Sequence, residues 1–206
     1  PRQVLALTRD QLNKLLGVVD PGTPTATSSV GTIDQWIAAV QQLDAKTLDQ
    51  GFRGEAARLG LLGFLVERVG PLMVALGQGW RAGAIQIYQE HWASERLRRF
   101  LTETWEPMAQ ANSGPVVVGA SLPGDRHDLG LHMACSVMAM CGWRIVFIGR
   151  DTPVDDIAAA VKTSDAVATV VSISSWADEH DSHMHLEQLR ARLAPDVSIV
   201  VGGGGS

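Results

Sequence analysis

Three consecutive stretches decide the fold: PVVVGA at residues 115–120, GDRHDLG at 124–130 and LHMACSVMAM at 131–140. The first is a β-branched run between a glycine and a Leu-Pro-Gly break, which is typical of a short buried strand. The third is predicted to be a helix. The sequence therefore predicts a strand, a loop and a helix in succession, the unit from which parallel α/β sheets are built.

The middle stretch, residues 124–130, contains the candidate functional residues. It would leave the carboxyl end of a parallel strand, where open α/β sheets place their ligands. Asp125 and His127 are two positions apart, so in extended backbone their side chains share one side. A carboxylate there can accept one imidazole N–H and leave the other nitrogen as a metal ligand. Gly130 removes a side chain where the loop enters the helix, which lets a bulky group approach the backbone. The alternative is a turn with a solvent-exposed histidine.

The spacing Asp-x-His-x-x-Gly, with Gly before it and Asp-Leu after the histidine, closely resembles the signature of cobalamin-binding domains. The resemblance implies that His127 is the lower axial ligand of cobalt and displaces the cofactor's own benzimidazole base. Asp125 would orient that histidine, and the nucleotide tail would run past Gly130 into the sheet. The other loop residues predicted to bind the cofactor are Arg126, Asp128 and Leu129.

Composition limits the classes of function. The chain has 206 residues and a net charge of −5, and its largest basic cluster is residues 96–99, so no nucleic-acid binding by this chain is expected. Cys135 and Cys141 are interpreted as buried thiols of a reducing compartment, and a cytoplasmic protein is expected. The apolar run 59–66 is eight residues long and too short to span a bilayer, so no membrane partner is expected. The chain starts at Pro1 and ends in Gly-Gly-Gly-Gly-Ser, so we expect a fragment with a truncated C-terminus.

The first half is predicted to be helical. A capping box at residues 8–11 starts a helix over 8–19, and a Pro/Gly/Ser/Thr linker follows, which makes residues 1–31 an N-terminal helix and linker. A second capping box begins a bundle of four to five helices at residues 32–112. We expect glycines at 77, 79 and 83 to interrupt the chain. The predicted bundle helices lie at about 33–43, 45–52, 55–69, 71–76 and 84–110.

Trp80, Glu90 and His91 are the candidate site residues of the bundle. The tryptophan lies between glycines, at a helix end where a large ring can overhang a cavity. Glu90 and His91 lie about 100° apart on the next helix and can border one opening. A buried core tryptophan with a surface Glu-His pair is the alternative.

Trp-x9-Glu-His upstream of the loop resembles the light-sensing cobalamin domains of the CarH/LitR family. In that family the bundle covers the upper face of adenosylcobalamin, and the tryptophan packs against the adenosyl group. Some members have a histidine directly after the tryptophan that becomes a second cobalt ligand after photolysis. This chain has Arg81 there, so that ligand is not expected from this position.

The last third, residues 113–206, is predicted to be a parallel, Rossmann-like α/β domain with further strands at 144–149, 166–173 and 197–201. One helix is predicted at 153–161, and a further helix is predicted to end at 187–193. Cobalamin domains use a serine after the third strand and glycines after the fourth to admit the nucleotide tail. Ser174 stands where that family usually has leucine, and Trp176 is large for a pocket wall. The residues matched to the serine and the glycines are Ser172, Gly202, Gly203 and Gly204.

Three histidines, at positions 180, 183 and 185, raise the question of a further metal site. Residues 180 and 183 share a helix face, 185 does not, and no cysteine accompanies them. A solvated helix start is the favoured interpretation.

Taken together, the resemblance implies a light sensor without turnover. Adenosylcobalamin would lie between bundle and α/β domain, and light would break its cobalt–carbon bond. Loss of the adenosyl group would shift Trp80 and the bundle and change the oligomeric state, with a dimer or tetramer expected and the downstream effector unknown. Three alternatives stay open: a corrinoid methyl carrier of a methyltransferase system, a photocobilin-type sensor that binds a bilin beside cobalamin, and a domain that has lost its cofactor.

Overall fold

The computed structural model describes residues 26–204, with side chains from residue 31. These residues divide into two compact units, 26–101 and 102–204. The fold is helical in the first part and a parallel sheet with helices in the second, which confirms the predicted fold class. The helices of the first part are α1 (Ala26–Gln41), α2 (Ala45–Phe64), a π-helical turn (Leu65–Val69), α3 (Gly70–Arg81) and α4 (Ile87–Ala111), whose last residues belong to the second unit.

Aromatic rings form the core of the helical unit. Trp36 of α1 meets Phe52 of α2 edge-on, with ring centroids 5.0 Å apart. Phe64 packs against the same two rings at 6.4 and 6.1 Å. Edge-to-face contacts are a preferred geometry for aromatic pairs and add to the free energy of area burial. The apolar stripe of α1 therefore packs where its helical spacing predicts.

Several helix boundaries in the structure differ from the predicted ones. Helix α1 begins at Ala26, so residues 26–31 are not the linker that was predicted; the capping box at Thr32 lies inside a helix. The predicted helix 8–19 lies outside the described residues. The separate helices predicted at 45–52 and 55–69 were wrong, because they form one continuous helix through α2 and the π-helical turn. This helix is kinked at Gly60, which has φ 70° and ψ 165°. The expected interruption at residues 77 and 79 was wrong, because α3 continues to Arg81.

The helices between Ala45 and Arg81 form one continuous helical run around a short apolar stretch. The apolar stretch at 59–66 has eight residues, but it lies within a helical run of 37 residues that continues through the Gly60 kink. By length and composition alone this run could cross a membrane, with a mean hydropathy of 1.7 over its most apolar window. Core helices of bundles pass the same test, and Phe64 and Val69 of this run are fully buried.

A buried ion pair joins the two ends of the kinked segment. The guanidinium of Arg68, only 2% exposed, donates from Nε to Oε2 of Glu55 over 2.6 Å. Hydrogen bonds from Arg58 and then Arg68 lower the pKa of Glu55 to about 2. The carboxylate is therefore charged wherever the protein is studied near neutral pH, and Arg68 is compensated inside the bundle.

The second unit is a four-stranded sheet in the order β2-β1-β3-β4, and every pair is parallel. Helix α7 begins at Glu179, where Asp178 caps it by accepting a hydrogen bond from the Asp181 backbone N–H at 3.0 Å, and it ends within the predicted helix end at 187–193. The third strand begins two residues later than predicted, at Ala168. The elements are β1 (Val116–Ser121), α5 (Leu129–Met140), β2 (Arg144–Gly149), α6 (Val154–Thr163), β3 (Ala168–Ser172), α7 (Glu179–Arg192) and β4 (Ser198–Gly202).

Alternate residues of β1 face opposite sides of the sheet, as strand geometry requires. Val118 belongs to a buried apolar cluster with Ile157 of α6 and Leu189 of α7. On the other side, Gly119 lies so close to α5 that a Cβ there would be 3.2 Å from the Cys135 sulfur. Burial raises the pKa of Cys135 to about 12, which keeps it an inert thiol. Cys141 was predicted to be buried but is exposed, because it caps the end of α5.

Candidate functional site at the end of the first and third strands

The site lies where the sheet changes direction. Strand β1 pairs with β2 on one side and with β3 on the other, so the chain leaves β1 for one neighbour and returns to the opposite one. Open α/β sheets bind ligands in the crevice at such a point. The register aligns Ser121 with Ser172 and Ser172 with Gly202, which brings the loops after β1, β3 and β4 to one edge.

Asp125 joins two of these loops through hydrogen bonds. It is 3% exposed, and both carboxylate oxygens accept backbone hydrogen bonds. Oδ1 accepts from the N–H of His127 at 3.0 Å, and Oδ2 accepts from the N–H of Ser174 at 2.7 Å. A buried carboxylate needs such partners to offset its loss of water. Asp125 therefore fixes the loop after β1 against the loop after β3.

The side chain of His127 lies on the solvent-exposed side of Asp125. Its side chain is 60% exposed, and Nδ1 lies 3.4 Å from Oδ1 of Asp125 and 3.4 Å from the Ser174 hydroxyl oxygen. With Nδ1 turned toward these oxygens, Nε2 is the ring nitrogen left to meet a metal. Imidazole nitrogen is a suitable ligand for a transition metal such as cobalt. The donor and the carboxylate that orients it are thus in place for the predicted lower axial ligand.

Three of the predicted glycines lie close against the protein's own atoms. A Cβ at Gly130 would lie 2.7 Å from the Ser172 hydroxyl oxygen, and one at Gly203 would lie 2.2 Å from the Ile173 carbonyl oxygen. Gly203 also has φ 125°, a conformation that favours glycine. A Cβ at Gly204 would approach Ser175 to 3.3 Å. The packing of neighbouring protein atoms therefore accounts for glycine at these three positions, and their predicted contact with a nucleotide tail stays a prediction.

Gly202 differs from these glycines. No atom lies within 4 Å of a Cβ built there, so the protein's own packing does not require glycine at this position. Its carbonyl oxygen accepts a hydrogen bond from the N–H of Ile173 at 2.9 Å, which ties β4 to the loop after β3. Its predicted cofactor contact stays a prediction.

The other predicted loop residues divide into exposed and buried. Arg126 is exposed, with Nε 3.7 Å from Oδ2 of Asp151. Leu129 is buried at 8% exposure, and Asp128 is buried with Oδ2 3.9 Å from Nη1 of Arg150. Of the three, Arg126 is therefore the one that can reach a ligand without rearrangement.

Sequence reasoning missed a buried histidine below the loop. His132 of α5 lies four residues after Asp128, a helical spacing that could have indicated the contact, and Nε2 is 3.9 Å from Oδ2 of that aspartate. Its Nδ1 accepts a hydrogen bond from the indole N–H of Trp105 at 3.2 Å. Its ring stacks on Phe147 with centroids 4.7 Å apart. This cluster supports the start of α5 from within the unit.

The second group of predicted site residues belongs to the helical unit. Trp80 lies in the last turn of α3 and is 40% exposed, so it is not the buried core tryptophan of the alternative interpretation. Glu90 lies in the first turn of α4, where Oε2 is 2.7 Å from Nδ1 of His91 and Oε1 accepts a hydrogen bond from the Ser94 hydroxyl at 2.6 Å. The Glu-His pair is at the surface, with the His91 side chain 72% exposed, as the alternative interpretation expected for these two residues, and their place at a cofactor opening stays a prediction.

The three histidines of the last helix do not converge. Residues 180, 183 and 185 all lie on α7, and Nε2 of His183 is 3.4 Å from a carboxylate oxygen of Glu187. Among the described residues, no group of three or more His, Cys, Asp or Glu side chains is placed to hold a metal ion. The geometry agrees with a solvated helix start.

Comparison with known proteins identifies both parts of the chain. Residues 115–206 and residues 32–103 each match a B12 binding domain family. The chain is 26% identical over 172 residues to the HTH-type transcriptional repressor CarH of Myxococcus xanthus, which covers 82% of this chain and 56% of CarH. It is 30% identical over 123 residues to the HTH-type transcriptional repressor CarA of the same organism, which covers 59% of this chain and 42% of CarA.

A solved structure shares the fold. The monomethylamine corrinoid protein of Methanosarcina barkeri matches with a TM-score of 0.61 and 18% identity over 86% of each chain. The chain spans 56% of CarH and 42% of CarA, about half the length of the curated relatives it matches. The two B12 binding matches and the similarity to CarH and CarA show that this chain is a CarH-like cobalamin-binding domain.

Proposed function

We propose that this chain is a light-sensing domain that holds adenosylcobalamin and signals through a change of oligomeric state. The similarity to CarH, which extends over 82% of the chain and through both units, is the observation that carries the proposal. The exposed Trp80 and the Glu90–His91 pair, which are the residues of the Trp-x9-Glu-His motif, add support from the helical unit.

Each residue of the site has a part in this proposal. Adenosylcobalamin supplies a cobalt–carbon bond that light can break. His127 binds the metal through Nε2, and Asp125 holds the ring in the orientation that exposes this nitrogen. Gly130 leaves room for the nucleotide tail beside Ser172. In the helical unit, Trp80 responds to the presence of the adenosyl group, with Glu90 and His91 as its neighbours in the motif. No residue is required to turn over a substrate.

A corrinoid methyl carrier is the second candidate. The shared fold with the monomethylamine corrinoid protein favours it, since that likeness extends over most of both chains. A carrier has to expose its metal to partner enzymes and has no use for a residue that senses an adenosyl group. The two candidates therefore differ in the upper ligand that they prefer and in their response to light.

The first test is thermal melting with adenosylcobalamin and with methylcobalamin, each in the dark and after green light. We expect the adenosyl form to stabilise the dark protein by mass action, by about 2.7 kcal/mol at a ligand concentration of about 100 Kd. This corresponds to a rise of roughly 5–10 °C in Tm for a domain of this size. Light should remove most of that rise. Equal stabilisation by both forms, with no effect of light, would favour the carrier.

Trp80→Ala should separate photochemistry from signalling. Gly83, with φ 72°, lies just after the end of α3, so the ring stands at a helix terminus where it can move without disturbing the core. We expect the variant to bind adenosylcobalamin and to photolyse, but to lose the light-dependent change in hydrodynamic radius measured by light scattering. Loss of one apolar contact of a few kcal/mol alters a two-state population about ten- to hundredfold. Val74→Ala is the control, since Val74 is a 59% exposed apolar residue of the same helix. A full wild-type response in Trp80→Ala would place the switch elsewhere.

A further inference from the structure

Trp176 stands beside the histidine that we propose as the cobalt ligand. Its ring is stacked on His127, with centroids 6.5 Å apart and planes inclined by 23°. It is 53% exposed, so the stack forms at the surface of the unit and is not a consequence of core packing. Sequence reasoning noted only that this side chain is large for the wall of a tail pocket.

The turn that carries Trp176 is anchored to the same carboxylate as His127. Oδ2 of Asp125 accepts from the N–H of Ser174, while Oδ1 accepts from the N–H of His127. The Ser174 hydroxyl oxygen in turn accepts from the N–H of Trp176 at 3.3 Å, and the Ser174 carbonyl oxygen accepts from the N–H of Ala177 at 3.1 Å. The buried carboxylate of Asp125 therefore fixes the backbone of His127 and the turn that carries Trp176 relative to each other.

Two constraints act on the imidazole ring. The edge that contains Nδ1 lies 3.4 Å from both Oδ1 of Asp125 and the Ser174 hydroxyl oxygen. These oxygens define which edge of the ring turns inward, but contacts at one atom leave the ring free to rotate about that point. A parallel aromatic plane on one face restricts this rotation. Nε2 then points in one direction only.

We propose that Trp176 is a positioning residue for cobalt ligation, which fixes the plane of His127 before the cofactor arrives. The inference rests on the proposed role of His127 as lower axial ligand. Preorganisation of a ligand reduces the ordering cost of binding, so loss of the stack lowers the equilibrium constant for ligation. Removal of one aromatic stack is expected to lower that constant about two- to tenfold.

The test measures how much of the bound cofactor is ligated by protein nitrogen. Protein is labelled uniformly with ¹⁵N, loaded with unlabelled cob(II)alamin and examined by electron paramagnetic resonance. An axial ¹⁵N from histidine splits the cobalt signal into doublets, whereas the ¹⁴N of the cofactor's own base splits it into triplets. The ratio of the two patterns reports the ligation equilibrium and is not moved by a change in global stability.

Three substitutions at this position separate the plane of the ring from its bulk. Trp176→Phe keeps an aromatic plane and should retain most of the doublet signal. Trp176→Leu keeps apolar volume without a plane and should lower the ratio of doublet to triplet signal about two- to tenfold, as should Trp176→Ala. Met184→Ala, at a 39% exposed apolar residue of the same unit, is the control and should match the wild type.

The outcomes are distinguishable. Doublet fractions equal to the wild type in both Trp176→Leu and Trp176→Ala would overturn the positioning role. An equal loss in Trp176→Phe and Trp176→Leu would also overturn it, because bulk or indole chemistry and not an aromatic plane would then be responsible. If the wild type itself shows no doublet, the failure lies in the proposed role of His127 and not in that of Trp176.

Discussion

His127→Ala is expected to remove the spectrum of protein-ligated cobalamin completely. The side chain is 60% exposed and makes its polar contacts at Nδ1, so its loss leaves no buried group without a partner. The fold should persist, with a Tm close to that of the wild type. With no imidazole to displace it, the benzimidazole base of the cofactor is expected to return to cobalt, and the visible spectrum should become that of the free, base-on cofactor.

The affinity for cobalamin should fall with the ligand. Changes to groups that only orient a metal ligand cost about 10- to 100-fold in affinity, so loss of the ligand itself should cost at least as much. Titration followed by absorbance gives both the Kd and the spectrum. A variant that keeps the wild-type spectrum would show that His127 is not the ligand.

Two further variants test the assignment of His127 as the ligand. His127→Gly with added imidazole should recover the protein-ligated spectrum, since the free ring can enter the space that the side chain left. Asp125→Asn should keep a histidine ligand but lower the affinity by about tenfold. An amide at this position can accept one backbone N–H with its oxygen, but its NH₂ group faces the second N–H, so either the His127 or the Ser174 contact is lost.

Gly130→Leu is expected to block cofactor binding while the unit stays folded. A Cβ at this position lies 2.7 Å from the Ser172 hydroxyl oxygen, a group that can rotate away, and we expect the rest of the leucine to enter the space proposed for the nucleotide tail. Filling a fitted space costs typically about 1–3 kcal/mol, or about 5- to 150-fold in affinity. Isothermal titration with cobalamin measures this loss.

Helix propensity provides the control for this variant. Gly130 lies in the first turn of α5, where a non-glycine residue gains about 0.5–1 kcal/mol of helix stability. Gly77→Leu makes the same exchange in α3, where no atom lies within 4 Å of an added Cβ. Gly77→Leu should bind cobalamin like the wild type. Equal binding by Gly130→Leu would mean that the tail takes another route.

The local pattern around the histidine was sufficient to predict its strand, loop and helix. Asp125, His127 and Gly130 are close in sequence, so their relation depends on a few backbone angles and a strand boundary. The end of helix α7 was predicted at 187–193, whereas its first residue was not defined, because its first half is rich in charge and histidine and lacks apolar periodicity. The two helices predicted at 45–52 and 55–69 were wrong for another reason, since they form one helix with a kink at Gly60 and a π-helical turn, which composition does not indicate.

Long-range contacts at the site were beyond prediction from the sequence. The hydrogen bond from Ser174 to Asp125 joins residues 49 positions apart and exists because β1 and β3 are neighbours in a definite register. Adjacent strands in sequence order need not be adjacent in a sheet, so no local pattern contains this information. The stack of Trp176 on His127 depends on the same register.

The two backbone hydrogen bonds that Asp125 accepts have a consequence for protein engineering. A site carried by a single loop can be transplanted into another scaffold as one peptide, but this one is divided between two segments that share a carboxylate. A graft of residues 124–130 alone would bring the aspartate without the N–H group that its Oδ2 requires. The recipient would then bury an unsatisfied charge, and the imidazole would lose its orientation. The smallest transferable unit is therefore a pair of neighbouring parallel strands together with both of the loops that follow them.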